Sequence, residues 1–530
     1  MHTYRHLLPR LAAFTLLTAT ATHAQIQPIS AEIQVPGNPA GFQSAPATAV
    51  ALSGGALVVW QSANTDGEEM DVLARAYGPD GAPLGPELMV NSYLPDCQQN
   101  PDVAAAPDGT FTVAWQSEGQ DGSGSGIFVR RFSAIGAPLG AEAQVNSTTA
   151  GDQRAPRVAH GATGDFVVVW ESFGQDGDGW SVVARRFGVA GPLSSEVMVP
   201  TSFAGPQRHP DLALQSAAQV IFAWEAPDGE GSGVFLRRFA ATLGSADPAA
   251  VRANVSGAGF QSFPRIGVDA SGNVIALWEG SSSGAGGTVI QARRFDRFLA
   301  PLDNEVQADA GSSGPATRPA VESAGSGDFL VLWEGWSADQ GGPGVVARPF
   351  DFLEQPAAPG SLVHVSFPED QGRPALSASS AGTFFAAWQG QDSDGSGVLI
   401  RRFAFLGHDL HTIAPCRILD TRQGTPLVSG LDRVFALSAG LSQCGIPLTA
   451  RALALSVTVT GSSGAGNVSL FPGDAPPPVA STINFASGQT LANNAIVSLA
   501  RNGTVSIGTR TLAGGNGQVH LIVDSGGYFE

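Results

Sequence analysis

Phe166-Val167-Val168-Val169-Trp170 is an uninterrupted apolar run that ends on a tryptophan, and similar runs occur seven times in this chain of 530 residues. Consecutive copies of the tryptophan lie 54 or 55 residues apart. A fixed period of this length is typical of propellers, solenoids and arrays. The seven tryptophans are Trp60, Trp115, Trp170, Trp224, Trp278, Trp333 and Trp388.

Three further positions recur once per repeat with nearly the same period. The prolines that precede the tryptophans are Pro46, Pro101, Pro156, Pro210, Pro264, Pro319 and Pro374. The arginines that follow them are Arg75, Arg130, Arg185, Arg237, Arg293, Arg348 and Arg401. A glutamine lies three residues before six of the prolines, at positions 43, 98, 153, 207, 261 and 371, and Ala316 replaces it in the sixth repeat.

Residues that recur in nearly every repeat are expected to build the scaffold. An arginine beside an aromatic ring can stack on it while bonding a loop carboxylate. We therefore predict this role for the repeated arginine. The glutamine is predicted to bond the loop that precedes the proline.

One repeat contains four predicted strands, which in the third copy are residues 157–160, 166–170, 182–187 and 196–199. The second strand is apolar throughout, as in a sheet that is covered on both faces. A unit of about 55 residues could hardly bury a core alone, which argues against separate small domains. The sequence thus predicts an all-β protein with a seven-bladed β-propeller over residues 31–403.

The two ends of the repeat region are complementary. Residues 31–36, Ala-Glu-Ile-Gln-Val-Pro, resemble the fourth strand of a repeat but have no repeat before them. The last repeat ends at Arg401-Arg402-Phe403 without a clear fourth strand. We therefore expect residues 31–35 to pair beside residues 398–403 and close the ring.

The N-terminal segment has the order of a secretory signal peptide, predicted here over residues 1–24. Arg5 and Arg10 precede an apolar run, and small residues end at Ala24. No later run reaches the roughly 18 apolar residues that a membrane helix needs. We expect a secreted or cell-surface protein that is a monomer. The net charge of −18 argues against nucleic acid and anionic membrane surfaces and leaves cations, neutral glycans or basic partners. A glycan or a surface protein is therefore a possible partner.

The period stops near residue 404, so residues 404–411 are predicted to be a linker and residues 412–530 a smaller, β-sandwich-like domain. Its motifs are Pro415–Arg422 (PCRILDTR), Gly466–Pro472 (GNVSLFP), Asn484–Gln489 (NFASGQ) and Val523–Phe529 (VDSGGYF). These motifs resemble an accessory domain of exported bacterial proteins. The resemblance implies export and an accessory role, and it carries over no catalytic residue. The seven repeats resemble the W-and-R-R-F repeats of large bacterial surface proteins.

The three cysteines divide between the two parts of the chain. Cys416 and Cys444 share the second domain, and in an exported protein they are expected to form a disulfide. Cys97 is expected to remain an unpaired thiol.

The loops between the second and third strands are acidic and rich in glycine, except in the fifth repeat, where residues 280–284 (GSSSG) replace the acids. Two of them have the D-x-D spacing of calcium loops, at Asp176/Asp178 and Asp392/Asp394. Neither loop contains a full set of six to eight oxygen ligands, so a plain turn is the alternative. Calcium is the one cofactor that the sequence suggests.

The sequence is compatible with two functions. Trp180 and Trp336 are the tryptophans outside the seven-fold set, and both border acidic loops. An exposed aromatic near carboxylates can hold a sugar ring, although a tryptophan that covers its own loop is the alternative. We predict a non-enzymatic binding or adhesion protein with its ligand at the acidic face or the central mouth. A polysaccharide hydrolase or lyase with carboxylates at the channel mouth is the alternative. His160 and His209 could line that channel.

Overall fold

The computed structural model describes residues 26–529 with short gaps. The predicted signal peptide, residues 1–24, lies outside the described residues. The remaining gaps are 38–40, 64–68, 203, 217–218, 245–246, 256–258, 270, 282–286, 313, 324–327, 337–342, 351–359, 366–369, 380–381, 393–394, 406–409, 449, 476, 479, 501–504 and 514–516.

Seven antiparallel sheets follow one another as the blades of a propeller, as the sequence predicts. Blade 1 contains β3 (Gln43–Val50), β4 (Ala56–Ala63), β5 (Met70–Tyr77) and β6 (Leu88–Met89). Blade 2 contains β7 (Gln98–Ala105), β8 (Phe111–Glu118), β9 (Ser125–Phe132) and β10 (Ala143–Gln144). Blade 3 contains β11 (Gln153–His160), β12 (Phe166–Phe173), β13 (Trp180–Gly188), β14 (Gly191–Pro192) and β15 (Val197–Met198). Blade 4 contains β16 (Arg208–Ser216), β17 (Gln219–Pro227), β18 (Ser232–Ala240) and β19 (Val251–Arg252).

The other three blades have the same strand order. Blade 5 contains β20 (Gln261–Val268), β21 (Val274–Ser281), β22 (Thr288–Phe295) and β23 (Val306–Gln307). Blade 6 contains β24 (Ala316–Ser323), β25 (Phe329–Trp336), β26 (Pro343–Phe350) and β27 (Ser361–Leu362). Blade 7 contains β28 (Gly372–Ala378), β29 (Thr383–Asp392) and β30 (Gly395–Phe405), completed by β1 (Ile26–Pro28) and β2 (Ile33–Gln34) from the N-terminus.

The hydrophobic core lies between the blades. Each repeated tryptophan is at most 2% exposed. Trp170 of blade 3, for example, shares a cluster with Ala114 and Ile127 of blade 2. Since each second strand is buried on both faces by its neighbours, one repeat alone would leave much of its apolar surface in water.

The N-terminal strands close the ring at the predicted place. Ile33 pairs with Ile400 in β2, and β1 extends the pairing so that Ile26 lies opposite Phe405. The predicted linker of residues 404–411 is therefore too long. Phe405 belongs to β30 because it pairs with Ile26 and its ring meets the edge of Phe384. Likewise, Leu410 and His411 already belong to the first strand of the next domain.

The repeated arginine joins each blade to the one before it. Its guanidinium donates to the main-chain carbonyl that follows the fourth strand of the preceding blade, over 2.5–3.0 Å. The pairs are Arg75–Val35, Arg130–Val90, Arg185–Val145, Arg237–Val199, Arg293–Ala253, Arg348–Ala308 and Arg401–Val363. We call these seven contacts the arginine latch.

The arginine latch corrects one detail of the sequence prediction. The expected stacking occurs, with Arg237 placed 4.7 Å from the Phe239 ring centroid. The hydrogen-bond acceptor, however, is a main-chain carbonyl, because the guanidinium faces the neighbouring blade. The next arginine along the strand bonds the carboxylate instead, as Arg186 does with Asp165.

The repeated glutamines have two kinds of partner. Gln98, Gln153 and Gln207 donate to carbonyls of the preceding loop, as predicted. Gln261 and Gln371 instead accept from the indole N–H groups of Trp278 and Trp388.

The C-terminal domain consists of two antiparallel sheets around one core cluster. One sheet contains β31 (Leu410–Asp420), β32 (Leu427–Val428), β34 (Ala452–Thr460), β37 (Leu491–Ser498) and β39 (Gln518–Phe529). The other contains β33 (Asp432–Ala436), β35 (Gly466–Pro472), β36 (Ile483–Phe485) and β38 (Ser506–Ala513). A 3₁₀ turn spans Thr421–Gln423, and helix α1 spans Ser438–Gln443.

The predicted disulfide is present in this domain. Cys416 of β31 is bonded to Cys444, which caps α1, and the helix is thereby joined to the first strand. Cys97 is a free cysteine that is partly exposed.

A buried ion pair connects the two domains. Arg451 donates to Asp328 over 2.7 Å, and the two side chains are only 8% and 3% exposed. Asp328 occupies the position in blade 6 that Asp165 has in blade 3, where the partner is Arg186. Pro349 replaces that arginine in blade 6, so Arg451 of the second domain supplies the missing guanidinium.

Removing β1 and β2 should open the ring. A chain that starts at Pro36 would expose the edge of β30, and an exposed strand edge promotes pairing between molecules. We expect a lower thermal midpoint and concentration-dependent aggregation, measured by calorimetry and light scattering. A chain that starts at Gln25 is the control. Equal behaviour of the two chains would contradict a structural role for the closure.

Arg451→Ala should destabilise the contact between the domains. The substitution leaves Asp328 buried without this partner, which typically costs about 3–5 kcal/mol. Arg510→Ala is the control, because its ion pair with Asp432 is about 40% exposed on both sides; such surface pairs contribute about 0–1 kcal/mol. Urea unfolding measures both, and equal losses would show that the buried pair does not hold the domains together.

Candidate functional site

The residue before each repeated proline has the same unusual backbone conformation in all seven blades. The first strand of each blade shifts register there by a bulge, as between Arg154 and Arg157. The φ angles at these residues are 48–53°, a region in which non-glycine residues are uncommon. The seven residues, here called the mouth ring, are Ala45, Asn100, Ala155, His209, Phe263, Arg318 and Arg373.

Neighbouring blades hold the mouth ring in place. In four blades the side chain that follows the repeated tryptophan accepts a hydrogen bond from the main-chain N–H of the next ring residue. The pairs are Gln61–Asn100, Glu171–His209, Glu279–Arg318 and Glu334–Arg373. Three glutamates of this region therefore have a scaffold role.

The mouth ring surrounds one end of the central channel. The channel contains a cavity of about 550 Å³, lined by the first strand of every blade. Its charged lining residues, among those described, are six arginines (154, 157, 208, 265, 318 and 373), His209 and four carboxylates (Asp102, Glu171, Asp211 and Glu322). In a protein of net charge −18, this is a local concentration of positive charge.

One arginine pair flanks a buried glutamate between blades 3 and 4. Arg154 donates to Glu171 over 2.9 Å, and Arg208 lies 3.7 Å from the same carboxylate. Arg154 also stacks on the indole of Trp180 at 3.6 Å, while Arg208 lies 5.8 Å from that ring. Trp180 thus orders both guanidinium groups, because its π face attracts cations.

A second pair lies between blades 6 and 7 and shares Glu334. Arg318 donates to Glu334 over 2.6 Å, and the same carboxylate accepts the main-chain N–H of Arg373. Burial and, next, repulsion by Arg318 lower the pKa of Arg373. The two positive charges are therefore close enough to repel each other.

Between these two pairs lies an aromatic pair. His209 stacks on Phe263 with ring centroids 3.9 Å apart, and its Nδ1 is 2.7 Å from a carboxylate oxygen of Glu225. Phe263 is 38% exposed. This part of the mouth therefore offers an apolar surface beside the charged groups.

Deeper in the channel, carboxylates brace the strands. Asp102 accepts a hydrogen bond from the main-chain N–H of Val158 in the next blade and forms an ion pair with Arg157. Asp211 accepts a hydrogen bond from the main-chain N–H of Ile266. Burial, followed by repulsion from Asp211, raises the pKa of Glu322 to about 8.

The acidic loops use their carboxylates for their own structure. Asp121 accepts from Asn146, and Asp228 forms an ion pair with Arg252. Asp176 accepts the N–H of Asp178, which in turn accepts the N–H of Gly205.

The second predicted calcium loop is only partly within the described residues. Asp392 belongs to β29, and Asp394 lies outside the description. Within the described part of the chain, no group of three or more His, Cys, Asp or Glu side chains is arranged to hold a metal ion.

The two non-repeated tryptophans have different surroundings. Trp180 begins β13, partly covered by Arg154 and meeting the edge of Phe173. Trp336 ends β25 and is 43% exposed, with its ring close to Gly314. His209 lines the channel as suggested, while His160 hydrogen-bonds Thr112 and is absent from the cavity lining. Sequence reasoning missed Phe263, Arg318 and Arg373, although a comparison of residues before the repeated prolines would have found them.

The motifs of the second domain also form a network. Arg417 pairs with Asp524 at 2.8 Å and with Asp420 at 3.2 Å, and Asp420 also pairs with Arg422. The side chain of Thr421 accepts the N–H of Leu521. These contacts join the first and last strands of the domain, so the motif residues have a structural role there.

Comparison with protein-family models finds no match, and comparison with curated proteins finds none either. A protein of unknown function from Dyadobacter fermentans matches 72% of this chain and 99% of its own, at 10% identity and TM-score 0.43. The β-propeller domain of the Trilobed protease from Pyrococcus furiosus matches 68% and 93%, at 9% identity and TM-score 0.40. A PL25 ulvan lyase matches 69% and 95%, at 11% identity and TM-score 0.44. Such distant likeness concerns the propeller fold alone.

No helix in the part of the chain that the structure describes is long and apolar enough to cross a membrane.

Glu322→Gln should change how stability depends on pH. Because the folded chain holds the proton of Glu322 up to about pH 8, the unfolded chain binds fewer protons above about pH 5, and this group lowers the free energy of unfolding as pH rises. We expect the thermal midpoint of the variant to rise relative to wild type between pH 5 and pH 8.

Asp108→Asn is the control of opposite sign. A hydrogen bond from the Thr110 side chain lowers the pKa of Asp108. That group contributes stability above its unfolded pKa and loses it as the pH falls through the folded pKa. A Glu322→Gln variant whose midpoint follows wild type at every pH would contradict the assigned shift.

Proposed function

We propose that this chain is an exported binding protein whose ligand lies at the mouth ring. One observation supports this site most directly: the seven ring residues share one backbone conformation, yet they comprise five residue types. In a repeat protein, shared features build the scaffold, and departures from the repeat carry specificity. Here the side chains that differ from blade to blade all line one cavity.

The mouth is a better candidate than the acidic loops. In the described acidic loops, Asp121, Asp176, Asp178 and Asp228 already accept internal hydrogen bonds or form ion pairs. At the mouth, by contrast, Phe263 and Arg318 remain exposed around a concave opening. Ligand sites are usually concave, with a few polar groups beside apolar surface.

The roles of the glutamates favour binding over hydrolysis. A glycosidase needs two carboxyl groups that are available to the substrate. Glu171, Glu279 and Glu334 each accept a main-chain N–H of the mouth ring, so they already support the scaffold.

A polysaccharide lyase or hydrolase is the second candidate, favoured by one observation. The Nδ1 atom of His209 is hydrogen-bonded to Glu225 beside the exposed ring of Phe263. A histidine that a carboxylate orients in this way is a common general base.

Phe263→Ala should weaken ligand binding. A screen of neutral and acidic polysaccharides, followed by calorimetry on those that bind, measures the effect. Losing one aromatic contact of about 1–1.5 kcal/mol lowers affinity roughly tenfold. Phe298→Ala is the matched control, because Phe298 is 61% exposed beside Arg297 in a loop at the other end of its blade. Equal affinity of wild type and Phe263→Ala would remove the mouth as the site.

The same polysaccharides should remain intact. Reducing ends and unsaturated products are measured after long incubation with wild type and with His209→Gln. Turnover by wild type that the variant loses would replace the binding proposal with the enzymatic one.

A further inference from the structure

We propose that the ligand of the mouth is an anionic polysaccharide, held at two points by Arg208 and Arg373. This inference rests on the proposed function and specifies its ligand class. The shared chemistry is a carboxylate or sulfate group that repeats along a sugar chain.

The two arginine pairs have the same internal division of roles. In each pair one guanidinium is hydrogen-bonded to the shared glutamate: Arg154 to Glu171, and Arg318 to Glu334. Within the described part of the chain, the other guanidinium, of Arg208 or Arg373, donates no hydrogen bond, and Nε of Arg208 is buried without a hydrogen-bond partner. Each pair therefore has unused donors, which suit the planar, two-point geometry of a carboxylate or sulfate.

The charges of each pair also favour an anion. In each cluster two arginines lie near one bridging glutamate: Arg154 and Arg208 are within ion-pair distance of Glu171, and Glu334 pairs with Arg318 and attracts the charge of Arg373. At Arg373, burial and, next, repulsion from Arg318 lower the pKa and so disfavour the charged form. A bound anion would relieve that repulsion, and it would do so in a partly buried site where salt screens charges less than at the surface.

The position of the clusters selects an extended ligand. Arg208 belongs to blade 4 and Arg373 to blade 7, three steps apart in a ring of seven. Both line the same cavity, which also contains Phe263 from blade 5. A chain of sugars could place one anionic group at each cluster and a sugar ring on the aromatic surface between them.

Trp180 orders the arginines of the cluster between blades 3 and 4. Its ring stacks on Arg154, and Arg208 lies nearby. Since long side chains lose rotamer freedom on binding, arginines that are already ordered bind an anion at a smaller entropic cost. The net charge of −18 would repel a polyanion at long range, so binding should depend on these local groups and on salt.

The test uses the full chain and three probes: polygalacturonate for carboxylates, dextran sulfate for sulfates, and dextran as the neutral chain. Calorimetry at low and high salt compares wild type with the double variant Arg208→Gln/Arg373→Gln. We expect binding of at least one polyanion and none of dextran, with affinity lowered at least about tenfold in the double variant. Preference for one polyanion identifies the anionic group.

Two controls separate specific recognition from a change in net charge. Arg297→Gln/Arg510→Gln removes the same charge outside the cavity lining and should bind as wild type. Arg208→Lys/Arg373→Lys retains the charge but loses the planar fork, and it should also bind more weakly. The lysine variant also tests the inference if the glutamine variant fails to fold.

Three outcomes would overturn the inference. They are undiminished polyanion binding by both arginine variants, equal losses in the distant control, and equal binding of dextran. In any of these cases the proposed function stands if Phe263→Ala still weakens binding. Failure of every polysaccharide to bind wild type would overturn both proposals.

Discussion

The arginine latch is the contact on which the ring depends. Each blade contributes one guanidinium that bonds a carbonyl at the outer strand of the blade before it. Where the ring closes, between blades 7 and 1, the same contact joins Arg75 of blade 1 to Val35, which follows the N-terminal strand β2. Closure thus uses the geometry of every other interface. A buried guanidinium that stacks on an aromatic ring while bonding a carbonyl leaves little of its charge unsatisfied.

The repeated scaffold makes the mouth ring possible. Seven residues have left-handed φ angles that cost energy, and such conformations persist when their surroundings over-determine them. Here the proline that follows, the paired second strand and, in four blades, a side chain from the preceding blade determine the backbone. Because the backbone is held independently of the ring side chain, that side chain is free to vary. At the mouth ring the backbone conformation therefore stays the same while the side chains that would contact a ligand differ from blade to blade.

Charge is distributed unevenly between the acidic loops and the channel. Several carboxylates of the acidic loops accept hydrogen bonds from the same or a neighbouring loop, a use that follows from the turn chemistry of Asp and Gly. In the channel, arginines outnumber carboxylates among the described lining residues. A departure from the repeat also supports the contact between the domains. Because Pro349 in blade 6 replaces the arginine that follows the repeated one, Asp328 pairs with Arg451 of the second domain instead. The absence of that arginine from blade 6 thus allows Asp328 to bind a residue of the other domain.

The sequence by itself determined the repeat length, the strand order, the complementary ends and the pairing of Cys416 with Cys444. These features follow from local periodicity and from residue counts, which do not depend on distant contacts. Only the tertiary structure decided that Arg185 reaches a carbonyl of the preceding blade, that Trp180 covers Arg154, and that His209, Phe263, Arg318 and Arg373 share one opening. The four mouth residues lie 54 or 55 positions apart in the chain, and they meet because the blades close around an axis. A bulge before each repeated proline turns the four mouth residues toward that axis; the proline marks their positions in the sequence, but the side chains themselves carry no signal that they share one opening.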